Sequence, residues 1–299
     1  MKEELLKEHW FWKYAFVKDG LFKGDVQKIN NNINLSVKVF YCLLLSLNVE
    51  FIFYLNNYLD KNISDALWPV FFVDYLPKVP WISVLIIVSF LINLLAVFNF
   101  KSRLVRILLF LSCFMLFALF NSAGKINHSL HTILIPLFFF SFLNFKEESK
   151  IYVNKIIFAS SVFALLTTYS FAGFWKILRG FLHIIQGENG IFSTNAMTRL
   201  LQYQYRYDTP TFFGNFLIEN EFLGCLLLWL GILIEFTSVI IFFKAKLHVV
   251  WGVLLLSLHI SIALIMDVFF SNALISLLPL LILSPFLIRK KRFFVCLIG

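Results

Sequence analysis

Eight stretches of the sequence are apolar over most of the length that a bilayer crossing requires. They are Leu35–Leu55, Trp81–Phe98, Leu104–Ser122, His131–Phe145, Ile156–Leu178, Phe222–Phe243, Val249–Met266 and Ala273–Ile288. About 20 apolar residues carry an α-helix through a hydrocarbon core of about 30 Å. No water reaches the backbone there, so each stretch must close its own hydrogen bonds as a helix. The composition agrees: 60% of the residues are hydrophobic, 38 are Phe and only 14% are charged, against about 25% charged in a soluble domain. The expected fold is an all-α, polytopic membrane bundle of about eight helices.

The charges orient it. The net charge of +9 is spread over short connections, with no zinc-finger spacing, phosphate loop or basic reading helix, so nucleic acid is not an expected partner. Placing the N-terminus in the cytoplasm puts nineteen Lys and Arg inside: seven up to Lys38, three at 101–106, three at 146–155, two at 244–246 and four at 289–292. Six fall outside (Lys61, Lys78, Lys125, Arg179, Arg199 and Arg206), and Lys176 lies within a span. Inside loops collect positive charge, so the expectation is a cell-membrane protein with both termini cytoplasmic. Residues 1–34 form a polar tail, 35–288 a single transmembrane domain and 289–299 a basic tail. The polar start leads us to expect no cleavable signal peptide. The longest connection, 179–221, lies outside. Its tyrosine cluster LLQYQYRYDTPTFF suits an interfacial cap or lid. Four scattered cysteines without CxxC spacing imply neither a metal cage nor a disulfide framework.

Ionisable groups inside a span are costly, so each needs an account. Lys176 nears the outer end of the fifth span, where Tyr169, Gly173, Lys176, Gly180 and His183 share one small, polar helix face. Either the lysine snorkels to the interface, or it serves a site. His259, in WGVLLLSLHISIALIMDVFF, reads as a packing histidine or as a site residue. Glu235 is a candidate partner for a buried cation or a tie between helices, and Glu50 has Asn48 or Asn93 as candidate partners. At the start of the fourth span, GKINHSLHTI brings Lys125, Asn127, His128 and His131 to the outer side. Two histidines three apart share a helix face, but no carboxylate or cysteine completes a metal site beside them, so none is expected. The bland reading is an Asn cap with interfacial histidines. The other reading rests on convergence: Lys125, Asn127, His128, Lys176 and His259 sit on three spans, all in the outer half.

Three motifs carry a resemblance. NHS at Asn127–Ser129, AGFWK at Ala172–Lys176, and LH leading to DVFF at Leu258–Phe270 stand in the order seen in vitamin K-dependent γ-glutamyl carboxylase and its bacterial relatives. The chain therefore resembles the horizontally transferred transmembrane domain from about the second span to the eighth. The resemblance implies a reduced quinone of the vitamin K or menaquinol type as cofactor, with O2 and CO2. It makes Lys176, at the end of an AG-x-x-K motif, the base that deprotonates the hydroquinone. Asn127 and His128 match the Asn-His pair beside that ring, and His259 matches a further active-centre histidine. On this reading Gly173 and Tyr169 belong to the quinone-binding face, with Gly173 leaving room for a flat ring, and Lys125 and His131 form the rim. The family's chemistry faces the lumen, which is the outside by topology. The expected partners are membrane lipid, quinone and a secreted peptide substrate. A large lumenal domain like the carboxylase's is not expected after the last span, so the chain is not expected to grip a propeptide in that manner. A non-enzymatic quinone or lipid binder, or a partner in peptide maturation, is the alternative.

Overall fold

The computed structural model describes residues 26–54, 66–75, 80–122, 128–147, 150–206, 209–268 and 271–286. All regular structure among them is helical. The helices are α1 (Val26–Phe53), α2 (Phe72–Tyr75), α3 (Trp81–Phe98), α4 (Arg103–Ser122), α5 (His131–Ser141), α6 (Ile151–Ile185), α7 (Ala196–Gln204), α8 (Phe212–Glu219), α9 (Glu221–Ile241), α10 (His248–Met266) and α11 (Ser271–Leu277). Single 3₁₀ turns at His128–Leu130 and Ala245–Leu247 lead into α5 and α10.

Six helices are long and apolar enough to cross a bilayer: α1, α3, α4, α6, α9 and α10. The stretches expected as the fourth and eighth spans form shorter helices. α5 has 11 residues, about 16 Å at 1.5 Å per residue. α11 has seven and then widens into a five-residue π turn, Leu278–Ile282. Proline accounts for part of this, because its ring nitrogen cannot donate to the preceding turn. Pro136 stands inside α5 and Pro279 in the π turn. Pro136 would strand the carbonyl of Thr132, but the Ser276 hydroxyl of α11 donates to it at 2.8 Å. Neighbouring hydroxyls are how bundles tolerate proline at membrane depth.

The longest helix is the spine. α6 begins five residues before the expected span and ends seven after it, taking in Arg179, Gly180 and His183. Its 35 residues are about 52 Å long, and it packs on α1, α5 and α9. α1 packs on α3, α3 on α4 and α4 on α5, while α11 sits between α1, α5 and α10. The outward faces of α3, α4, α9 and α10 present Leu, Ile, Val and Phe, as lipid-facing surfaces do.

At one end of the bundle, polar side chains hold the helix ends together. Arg106, counted above among loop charges, is instead buried. Its guanidinium donates to the carbonyls of Phe140 (2.8 Å), Phe100 (2.6 Å) and Leu143, and it lies 5.0 Å from the centroid of the Phe145 ring. These are carbonyls that the end of α5 and the α3–α4 turn leave open. His248 similarly bridges Ser284 (3.0 Å) and the carbonyl of Phe242 (3.2 Å), and Lys155 is also buried there. At the other end, the connection 179–221 contains α7 and α8, which pack on α9 and α10. Thr211 caps α8, accepting from the Gly214 N–H at 3.0 Å, and donates to the Ile265 carbonyl at 2.9 Å. Tyr205 donates to the same carbonyl.

Candidate functional site

The seam between α6 and α9 builds the site. Its contact is backbone against backbone: a Cβ on Gly173 would stand 2.5 Å from the nitrogen and 2.8 Å from the Cα of Phe236. One turn earlier, the Ser170 hydroxyl accepts from the Val239 N–H (2.8 Å) and donates to the Glu235 carbonyl (3.3 Å). Those two groups are partners along a helix, and α9 runs unbroken from Glu221 to Ile241, so Ser170 lies against its ladder at Glu235. Small residues allow this approach, which is the usual means of joining helices in lipid.

The close approach sets Lys176 against Glu235. Their Nζ and Oε2 are 2.5 Å apart, with the lysine side chain 44% exposed and the carboxylate only 9%. Glu235 thereby takes the role of partner to a cation at membrane depth, and the lysine is tied to it instead of reaching away alone. On the same face of α6, the buried Tyr169 hydroxyl meets His259 Nε2 of α10 at 2.9 Å. The two pairs share α6, where Tyr169 and Lys176 stand two turns apart on one face, and between them Ser170 joins that helix to α9 at Glu235. Two ionisable pairs from three helices therefore form one quartet, toward the end of the bundle that carries α7 and α8.

The remaining residues of that α6 face serve the connection beyond it. Gly180 lies against Ile191 and Phe192, and His183 Nδ1 meets a Glu188 carboxylate oxygen at 2.6 Å. Phe192 in turn packs on Phe181 and Trp229. The expectation that Gly173 leaves room for a ring is corrected here: the backbone of α9 fills the space beside it. Glu50 lies exposed on α1, and Asn48 accepts instead from Ser89.

The described contacts of the opening turn of α5 are with α11 and with α5 itself. Lys125 and Asn127 lie outside the described residues, and of His128 only the backbone turn is described. The next residue, Ser129, accepts from the Asn272 amide of α11 at 2.8 Å, and His131 is half-buried at the start of α5. The turn therefore docks on α11, which itself packs on α10, the helix that carries His259. Sequence reasoning left Glu235 and Ser170 out of the site. Glu235 was legible as a carboxylate inside a span. For Ser170 a hydroxyl in an apolar helix is too common a feature to single out.

No family model matches the chain, and no curated protein or solved structure matches it.

Proposed function

We propose that this chain is a carboxylase-like membrane enzyme that binds a reduced quinone and acts on a peptide or lipid-borne group at the outer face. The supporting observation is the quartet of Lys176, Glu235, Tyr169 and His259, two ionisable pairs placed where ionisable groups are rarely kept without a task. In this reading the chain crosses the membrane eight times with both termini cytoplasmic, and α5 and α11 are short crossings flanked by longer helices.

The residues fit a flat, hydroxyl-bearing ligand at Lys176. Its side chain remains open while Phe171, Phe174 and Trp175 stand exposed in the same two turns. The fit does not extend to Gly173. When bound, a reduced quinone supplies the acidic hydroxyl and the reducing equivalents for reaction with O2, and CO2 is the group added to the acceptor. To work as a base, Lys176 first passes a proton to Glu235, which its 2.5 Å contact allows. The free amine can then accept the ligand's hydroxyl proton. Tyr169 fixes the ring of His259 and so decides which imidazole nitrogen donates. Asn127 and His128 orient the ring in this reading.

The test is oxygen-dependent quinol epoxidation by the purified protein. Wild type turns over, while Lys176→Ala and Glu235→Gln fall at least 100-fold, the usual scale of general base catalysis (about 10²–10⁴). If wild-type protein oxidises none of a panel of quinols, the enzyme reading is lost. A second reading, a quinone or lipid binder without chemistry, draws on the same ion pair, since a lysine already matched by a carboxylate suits recognition of a neutral headgroup. Mass spectrometry that finds co-purified quinone, with no turnover, selects that reading.

A further inference from the structure

A second polar cluster lies where α1, α3 and α4 meet, and it includes none of the quartet. Tyr41 and Asn48 are two turns apart on one face of α1, and Ser89 and Asn93 one turn apart on one face of α3. Cys113 faces them from α4. The Ser89 hydroxyl donates to Asn48 Oδ1 at 3.3 Å and touches Cys113 Sγ at 3.4 Å. The Tyr41 ring meets the Phe140 ring edge-on, with centroids 6.4 Å apart, and Arg106 donates to the Phe140 carbonyl. None of these five residues is more than 1% exposed.

The cluster is not closed on itself. Among the described residues, Asn93 Oδ1 and Nδ2, Asn48 Nδ2 and the Tyr41 hydroxyl have no hydrogen-bond partner. Buried polar atoms are nearly always satisfied by protein or by ordered water. Hydrocarbon around a bundle offers no substitute. Four such atoms on facing helices are a demand for a ligand with both donors and acceptors.

We propose that the α1–α3–α4 interface is a buried water site, with ordered water held by Tyr41, Asn48 and Asn93. The open set contains amide donors, an amide acceptor and a hydroxyl that can do either. It carries no net charge. A buried water makes about three bonds of mixed sense, which matches that set. An anion would leave Asn93 Oδ1 unanswered, and a cation would find only that one carbonyl. Arg106 does not alter the balance, because its guanidinium is already held by three backbone carbonyls. Hydration also accounts for Asn and Tyr at positions where an apolar seam would carry Leu and Phe.

Tyr41→Phe tests this directly, since it removes one oxygen and keeps the ring. In the full-length protein in nanodiscs, its unfolding midpoint is expected to fall by about 2–4 °C, and Asn93→Leu is expected to fall further. A midpoint unchanged or raised in Tyr41→Phe would overturn the proposal, because deleting a dry, unpartnered hydroxyl relieves the fold. Should Asn93→Leu not fold, magnetisation transfer from water to the Asn93 side-chain amide of the wild type supplies the second measurement. Transfer is expected, and its absence overturns the proposal, as does a small organic solute found bound there by native mass spectrometry.

Discussion

Single residues in this bundle work by answering particular orphaned groups. Ser276 is the clearest, because Pro136 removes the N–H that the Thr132 carbonyl needs and a hydroxyl from another helix takes its place. Ser276→Ala should therefore cost about 1–3 kcal/mol, the penalty of a buried acceptor left alone, read as a lowered unfolding midpoint, while Ser276→Thr retains most of it. Equal stability of Ser276→Ala and wild type would show that the carbonyl finds another donor. How much of this was legible follows from the same case. Pro136 in an apolar run is visible in the sequence, but its remedy lies 140 positions on and depends on two helices meeting. Lys176, Glu235 and His259 were likewise visible as ionisable groups at membrane depth. Glu235 reads as a candidate partner for a buried cation, but which cation it meets cannot be read, since spacing along one helix is silent about the register of its neighbour. Asn48 or Asn93 is the expected partner for Glu50, and a shared cluster with Tyr41 is not legible because amides are ordinary in long helices.

The elements are placed by how closely they approach. The α6–α9 seam is closed at Gly173, where the next backbone occupies the position of any side chain. Gly173→Ala should separate the helices, lower stability by about 1–3 kcal/mol as overpacked sites do, and loosen the Lys176–Glu235 contact with it. If the chain binds the proposed quinone, that binding should fall in step with stability. An alanine variant as stable as its parent would mean that the seam can part freely. The AGFWK stretch predicts one helix making room for a ligand, whereas the room is taken by α9. Helix existence was well marked by apolar length, and six of the eight stretches became helices of spanning length. The other two fell short where proline and polar helix ends intervene, features that a running hydropathy smooths away.

For the whole molecule, sidedness has a direct measurement. Lys101 and Tyr203 are both exposed and belong to opposite ends of the bundle. With the native cysteines replaced, a membrane-impermeant maleimide should label Tyr203→Cys in intact cells and Lys101→Cys only after the membrane is opened. The opposite pattern would invert the molecule and place the quartet toward the cytoplasm. Arg106 adds a consequence for biogenesis. Its charge is acceptable in the interior only when Phe100, Phe140 and Leu143 have all presented their carbonyls. Two of these belong to the end of α5, which emerges from the ribosome after α4. That end of α4 is therefore expected to stay at the membrane surface until its successor arrives. The two segments are then expected to settle as a pair, with a single guanidinium setting that order.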